Sequence, residues 1–311
     1  MQLREKAPFP STTWERGAGG IPALKRRAFT SGDCRLRSLA PVVADLVWFG
    51  AHARLDSAET MKLACKEPGV PEIFQSIQGE GVSIGVPSVF IRASLCNLHC
   101  VWCDTDYTWN WEGTPFAHRR DAELGYAKYK KAEQIIEMTA ADIAAAVRQY
   151  PARNVVLTGG EPLLQQDDWI EIIAALRTHD PAYRFEIETN ATLIPKPELA
   201  ALIAQFNTSP KLANSEQPLD IREKPAALTW FAACAVANFK FVCDTADDIA
   251  EILALAKKYA IPPDRISLMP QGTTGAELDE RGRWLAELCE QHRFRYSDRL
   301  QVRLWGRRRG V

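Results

Sequence analysis

From residue 86 onward the chain alternates apolar runs of strand length with helical patterns, and this alternation limits the fold more than any other feature. Val86-Pro87-Ser88-Val89-Phe90-Ile91 reads as a strand. Thr139 is a suitable N-cap for a helix through Tyr150, with Ile143 and Val147 four apart on one face. Asn154 to Leu157 reads as a strand ended by Gly159-Gly160. Asp167 to Arg177 follows as a helix with Trp169, Ile172, Ile173 and Leu176 as its apolar stripe. Further strands are expected at Arg184 to Ile187, Phe239 to Val242, Ile266 to Leu268 and Leu300 to Leu304. Helices are expected at Pro197 to Gln205, Asp247 to Tyr259 and Glu277 to Gln291. Such alternation implies parallel strands joined by crossover helices. About six strands fall short of a closed eight-stranded barrel. The expected fold class is therefore α/β, a partial (open) TIM-like barrel with outer helices.

The unusual residues fall at one edge of that barrel. Cys96, Thr158-Gly159-Gly160-Glu161-Pro162, Glu188-Thr189-Asn190 and Met269-Pro270-Gln271-Gly272 are all expected just beyond the C-terminal ends of strands. In parallel α/β folds that edge is where ligands bind.

Composition narrows the partners. With 46% hydrophobic and 25% charged residues among 311, and a formal net charge of -1, the chain exerts no overall pull towards nucleic acid or an acidic membrane surface. No apolar run approaches the roughly 20 residues needed to span a bilayer, and no secretory leader is evident. A cytoplasmic location is the default expectation. Residues 1–60 hold nine Arg or Lys against six acidic residues, with Gly17-Ala18-Gly19-Gly20 among them. They read as an N-terminal extension outside the fold, or as an over-extended start with Met61 as the true first residue, leaving 61–311 as the functional domain.

Of eight cysteines, Cys96, Cys100 and Cys103 lie within eight residues, in the spacing CxxxCxxC. Three thiolates on one loop suit a four-iron cluster with one iron left open to bind something else, whereas electron-transfer clusters normally have four cysteines. A zinc site with His99 or a distant cysteine as fourth ligand is the competing reading. After the first strand, CxxxCxxC with Trp102 before the third cysteine resembles the signature of the radical S-adenosylmethionine (radical SAM) superfamily. Gly159-Gly160-Glu161-Pro162, about 55 residues later, resembles that superfamily's GGEP element. The resemblance implies a [4Fe-4S] cluster on the three cysteines and S-adenosylmethionine chelated at its open iron. One-electron cleavage then gives a radical that takes hydrogen from the substrate, and no catalytic side chain beyond this cofactor pair is implied. Gly160 and Glu161 would touch the methionine portion.

Within the superfamily, Phe74-Gln75-Ser76-Ile77-Gln78-Gly79-Glu80-Gly81, Phe90-Ile91-Arg92, Cys-x-Trp-Cys-Asp-Thr ending at Thr105, Ser209-Pro210-Lys211 and Leu304-Trp305-Gly306 resemble the 7-carboxy-7-deazaguanine synthase family over nearly all of 61–311. That family forms 7-carboxy-7-deazaguanine from 6-carboxy-5,6,7,8-tetrahydropterin with loss of ammonia, on the route to queuosine and other 7-deazapurines. By this resemblance Ile77, Gln78, Gly79 and Thr158 contact the pterin and Arg92 grips its carboxylate. Thr105 is a Mg²⁺ ligand. Ser209, Pro210, Lys211 and the stretch Met269, Pro270, Gln271 and Gly272 contact S-adenosylmethionine. A flavodoxin-like electron donor and a homodimer are also implied. The insertion-like stretch 107–139, with Lys128, Lys130 and Lys131, reads as a solvated surface element or as the donor's docking face. A glycyl-radical-enzyme activase and a non-catalytic metal-binding protein are the weaker alternatives. Activases often add four-cysteine clusters, and the other cysteines here stand alone.

Overall fold

The computed structural model describes residues 59–311. The expected extension over 1–60 lies outside the described residues except at its last two positions. There the fold has already begun: Thr60 opens strand β1 (Thr60–Glu67) and pairs with Thr139. Further strands are β2 (Val70–Pro71), β3 (Ile73–Ile77), β4 (Pro87–Ala93), β5 (Ile135–Thr139), β6 (Asn154–Gly159), β7 (Arg184–Thr189), β8 (Gln205–Thr208), β9 (Ala237–Cys243), β10 (Ile266–Pro270) and β11 (Arg295–Tyr296). They form one sheet in the order β11-β10-β9-β8-β7-β6-β4-β1-β2, with β3 beside β4 and β5 beside β1. β4 and β6 to β11 run parallel. The strands β1, β2, β3 and β5 add an antiparallel flank. The path ends at β11 and β2 without closing, so the barrel is open as expected.

Helices Ala140–Val147, Gln166–His179, Asp248–Tyr259 and Gly275–His292 cover the outside. Thr139 caps the first of them, its hydroxyl accepting from Asp142 N at 3.2 Å. The stripe Trp169, Ile172, Ile173 and Leu176 is wholly buried, as its spacing requires. It packs with Val89, Ile91, Val155, Leu157, Phe185 and Ile187, the outward residues of alternate strand positions, into the main core. The inner face differs. Phe74, Phe90 and Val156 form a small apolar cluster there, the two rings stacked 5.1 Å apart. Beside them, fully buried Glu186, the register partner of Val156, accepts hydrogen bonds from Ser83 Oγ (2.8 Å), Gln205 Nε2 (3.1 Å) and Asn207 Nδ2 (3.1 Å). These polar groups satisfy one another, so burying them carries no large penalty.

Two segments depart from the pattern-based expectation. The helix expected over Pro197–Gln205 is only Pro197–Ala200, and Gln205 opens β8. That strand hides from an apolar count because its inward residues, Gln205 and Asn207, are polar and paired with Glu186. The strand expected at Leu300–Leu304 is a helix, Leu300–Trp305. Its alternating Leu300, Val302 and Leu304 do not share a buried face: Val302 is buried while Leu304 is exposed. The chain's last parallel strand is instead the two-residue β11, at Arg295–Tyr296.

Trp169 joins the core to the GGEP turn through Nε1, which donates to the Pro162 carbonyl at 2.9 Å. Trp169→Ala should cost about 3–5 kcal/mol of stability, the usual cost of emptying such a site. Urea denaturation of the cluster-free chain measures it.

Candidate active site

Where the strand carboxyl ends converge, they enclose a cavity of about 230 Å³. Cys96, Cys100 and Cys103 line it, together with Arg92 of β4, Thr158 and Gly159 of β6, Glu188 and Thr189 of β7, Asn207 of β8, Lys240 and Val242 of β9 and Met269 of β10. Strand register produces this convergence, pairing Arg92 with Thr158 and Glu188 with Asn207.

The cysteine loop is fixed from two sides. Leu95, immediately before Cys96, takes a left-handed φ of 75°, which turns the chain out of β4. The β6 turn then presses against it. Gly160 N donates to Ala93 O at 3.1 Å and Glu161 N to Leu95 O at 2.9 Å. A Cβ on Gly159 would stand 2.3 Å from Ala93 O, and one on Gly160 would stand 2.1 Å from Leu95 O and 2.9 Å from Cys96 Cβ. No other residue type fits at either position. On the far side Val101 N donates to Ser215 O at 3.2 Å, and Trp102 Nε1 donates to Asn214 O at 2.9 Å. His118 contributes a ring nitrogen 2.8 Å from the Cys103 carbonyl.

Glu161 is held by donors of the β6 turn and the end of β7. It is fully buried and not among the cavity-lining residues. Its carboxylate accepts from Leu163 N (2.9 Å), Thr189 Oγ1 (2.8 Å) and Asn190 N (2.7 Å). Burial pushes its carboxyl up, partly offset by those donors. The side chain clasps the β6 turn to the end of β7, while Gly160 is the member of the pair that reaches the cavity.

Ser209, Lys211, Met269 and Gln271 line the cavity, whereas Pro210, Pro270 and Gly272 do not. Met269 and Pro270 are the last residues of β10 rather than a loop beyond it. Ile77, Gln78, Gly79, Arg92 and Thr158 all line the cavity. Gln78 Nε2 and Thr158 Oγ1 donate to the two oxygens of Glu188, at 3.1 and 2.9 Å. Arg92 gives its Nε–H to Glu72 at 2.9 Å, and among the described residues no acceptor takes its terminal nitrogens. Thr105 precedes a short turn, Asp106–Thr108, without capping it through its side chain. Its hydroxyl lies 3.5 Å from Cys103 Sγ and faces the cavity.

Burial raises the thiols of Cys96, Cys100 and Cys103, that of Cys100 to about 12. Such a pocket disfavours bare thiolates and suits sulfurs whose charge an iron centre neutralises. Among the described residues no three His, Cys, Asp or Glu side chains are grouped to hold a single metal ion. The three thiols line one cavity, which suits a multi-iron cluster with one iron left open.

Glu80, Glu188, Asn207, Lys240, Arg299 and Gln301 also line the cavity, and no motif gave any of them a role of its own. Lys240, alone among apolar neighbours in β9, carried a signal; Arg299 carried none. The lysines of the 107–139 stretch are engaged internally. Lys128 Nζ donates to the Thr114 and Phe116 carbonyls (2.6 and 2.7 Å), Lys130 pairs with Glu133 at 3.3 Å, and Lys131 sits 4.8 Å over the Trp111 ring.

An open parallel barrel carrying a three-cysteine loop at its mouth defines a radical SAM enzyme, and the Radical SAM superfamily pattern matches residues 91–213. The chain is 34% identical over 242 residues to the 7-carboxy-7-deazaguanine synthase of Pyrobaculum aerophilum, covering 78% of this chain and 96% of that one. It is 36% identical over 264 residues to the synthase of Halobacterium salinarum, covering 76% and 91%. The crystal structure of QueE from Escherichia coli superposes with a TM-score of 0.52 at 26% identity, over 77% of this chain and 94% of that one. The chain belongs to the 7-carboxy-7-deazaguanine synthase family. Its superfamily carries a [4Fe-4S] cluster and uses S-adenosylmethionine. No described helix is long and apolar enough to cross a membrane.

Gly160→Ala should displace Leu95 and Cys96 and lower iron incorporation several-fold on anaerobic reconstitution. Iron analysis and visible absorption measure it, and Gly275→Ala, whose Cβ meets nothing within 4 Å, serves as the control.

Proposed function

We propose that the chain converts 6-carboxy-5,6,7,8-tetrahydropterin to 7-carboxy-7-deazaguanine with release of ammonia, on the route to queuosine and related 7-deazapurines. The observation that carries this reading is the meeting, in one cavity of a chain of this family, of three thiols with an arginine and an amide–hydroxyl–carboxylate set.

Cys96, Cys100 and Cys103 hold the cluster. When bound, the cluster and S-adenosylmethionine supply a one-electron cleavage whose product abstracts hydrogen from the substrate. The protein's task is to orient and to exclude water. Gly160 allows close backbone approach to the methionine end, with Glu161 holding that turn in place. Ser209 and Lys211 lie on the same side, the Lys211 ammonium donating to Ser209 Oγ at 3.0 Å. Met269 and Gln271 form the wall towards the adenine, with Pro270 between them at the end of β10, and Pro210 and Gly272 complete the S-adenosylmethionine contacts that the family resemblance implies.

On the substrate side Ile77, Gln78, Gly79 and Thr158 bound a flat ring. Glu188 holds Gln78 and Thr158 at a common carboxylate, so their remaining donors and acceptors present a fixed edge. Arg92, braced through Nε by Glu72, offers its terminal nitrogens to the substrate carboxylate as a planar fork.

Mg²⁺ completes the proposal, with Thr105 as its protein ligand. Thr105 at the cavity wall, its hydroxyl in a long 3.5 Å contact with Cys103 Sγ, supports this reading, and Mg²⁺ characteristically keeps several water or substrate oxygens. A flavodoxin-like electron donor and a homodimer follow from the family resemblance. Of the 107–139 lysines, Lys128 is held within the segment while Lys130, 65% exposed, stays open to a donor.

Anaerobically reconstituted protein should form 5′-deoxyadenosine and 7-carboxy-7-deazaguanine only when the carboxypterin is present; cleavage indifferent to the pterin would overturn the assignment. Thr105→Ala should raise the Mg²⁺ concentration for half-maximal rate about tenfold, the loss of roughly one oxygen ligand worth about 1.4 kcal/mol. Thr105→Ser should restore it. Initial rates across a Mg²⁺ series measure both.

A further inference from the structure

Arg299 stands immediately before the helix Leu300–Trp305, on a segment that neither the motifs nor the roles above assign. Its side chain is 9% exposed, and it gives donors to three separate parts of the chain. Nε donates to Glu80 Oε1 at 3.0 Å, one terminal nitrogen donates to the Gly272 carbonyl at 2.6 Å, and the other pairs with Asp104. Glu80 belongs to the turn that continues Gln78-Gly79. Asp104 lies between Cys103 and Thr105, and Gly272 follows β10.

Neighbouring contacts bind the same pieces together. Leu300 N donates to Gly79 O at 2.9 Å, and Gly81 N donates to Ser297 Oγ at 2.7 Å. Gln301 Nε2 donates to Glu80 Oε1 at 2.6 Å. Lys240 of β9 takes the other oxygen of Glu80. Two carboxylates, Glu80 and Asp104, are thus balanced by two cations, Arg299 and Lys240. Burial would raise the carboxyl of Glu80, but Lys240 and Arg299 outweigh it and hold that group well below the usual range. Glu80, Lys240 and Arg299 are largely buried while Asp104 is half exposed, so the loss of Arg299 falls hardest on Glu80.

We infer that Arg299 is a positioning residue for the reaction, setting the register between the Gln78–Gly79 turn and the Cys103–Thr105 segment. The inference rests on the assignment of that turn to the pterin and of the cysteine loop to the cluster. A guanidinium is required because three acceptors in three directions match its planar fork; a lysine ammonium on a flexible stem cannot serve all three together. A shift of about 1 Å at a reacting centre can cost on the order of 100-fold in rate. For this chemistry the first symptom is futile cofactor cleavage, because a misplaced substrate yields no hydrogen.

The test compares wild type with Arg299→Met and Arg299→Lys by the ratio of 5′-deoxyadenosine to deazaguanine product. Amide exchange of the anaerobically reconstituted proteins is followed in parallel. Arg299→Met should raise the ratio about tenfold while the KM for S-adenosylmethionine stays within about twofold. Arg299→Lys should fall between it and wild type. Exchange should quicken at 79–81 and 104–106 and stay unchanged in β6 and β7. An unchanged ratio, or quickened exchange spread evenly over the sheet, overturns the inference and leaves Arg299 a residue of general stability. If Arg299→Met does not fold, Arg299→Lys decides by the same two readouts. A wild type that leaves the carboxypterin untouched removes the functional reading beneath the inference; a wild type that consumes it, beside variants with an unchanged ratio, removes only the role of Arg299.

Discussion

Between Gly159-Gly160 and the end of β4 two backbones approach more closely than any side chain permits, with Ala93 O and Leu95 O 2.3 and 2.1 Å from where a Cβ would stand. That contact brings the cysteine loop and the β6 turn together as one unit. Glu161 extends the unit to β7 by accepting hydrogen bonds from both the turn and the next strand end. Three strand ends are thereby laced into a rigid rim, and the three thiols are carried on it. A buried carboxylate bound by two backbone N–H groups and one hydroxyl has its main acceptor capacity met, which is why so polar a group can be buried behind the rim.

The interior of the barrel continues this economy of charge. Phe90, Val156 and Glu186 are in register across β4, β6 and β7, and towards the cavity Glu80 is joined to Lys240 and Arg299, which also holds Asp104. Each carboxylate faces a cation or a set of amide and hydroxyl donors. Removing a single partner from either network would leave an uncompensated group in a poorly solvated space. The cavity is therefore electrostatically stiff. Its loops come from distant parts of the chain, yet they are held by ionic contacts with little freedom to drift.

Legibility of the chain varied with the kind of residue. Helices with apolar stripes, such as that carrying Trp169, Ile172, Ile173 and Leu176, were readable because burial repeats with the helical period. Strands facing the outer core were readable from their Val, Ile and Phe. Gln205–Thr208 was not, since its inward residues are polar and are satisfied by partners on β7 and the Ser83 turn. Leu300–Trp305 misled in the opposite sense: an apolar alternation that looks like a strand packs only Val302 inward. Glu161 was found by motif, but its work of clasping two turns is visible only once Thr189 and Asn190 lie beside it.

The striped helices, most of the parallel strands, the open architecture and the chemical type of the site were contained in the linear pattern. Periodicity, cap residues and CxxxCxxC spacing are local properties that a chain carries whether folded or not. Which polar residues face the cavity was decided by strand register, which places Arg92 beside Thr158 and Glu188 beside Asn207. The return of the C-terminal segment was likewise a tertiary matter. Arg299 lies 195 positions from Asp104 and 219 from Glu80. Only the closing of the fold puts its guanidinium between them, because ionic contacts at that sequence distance leave no periodic trace.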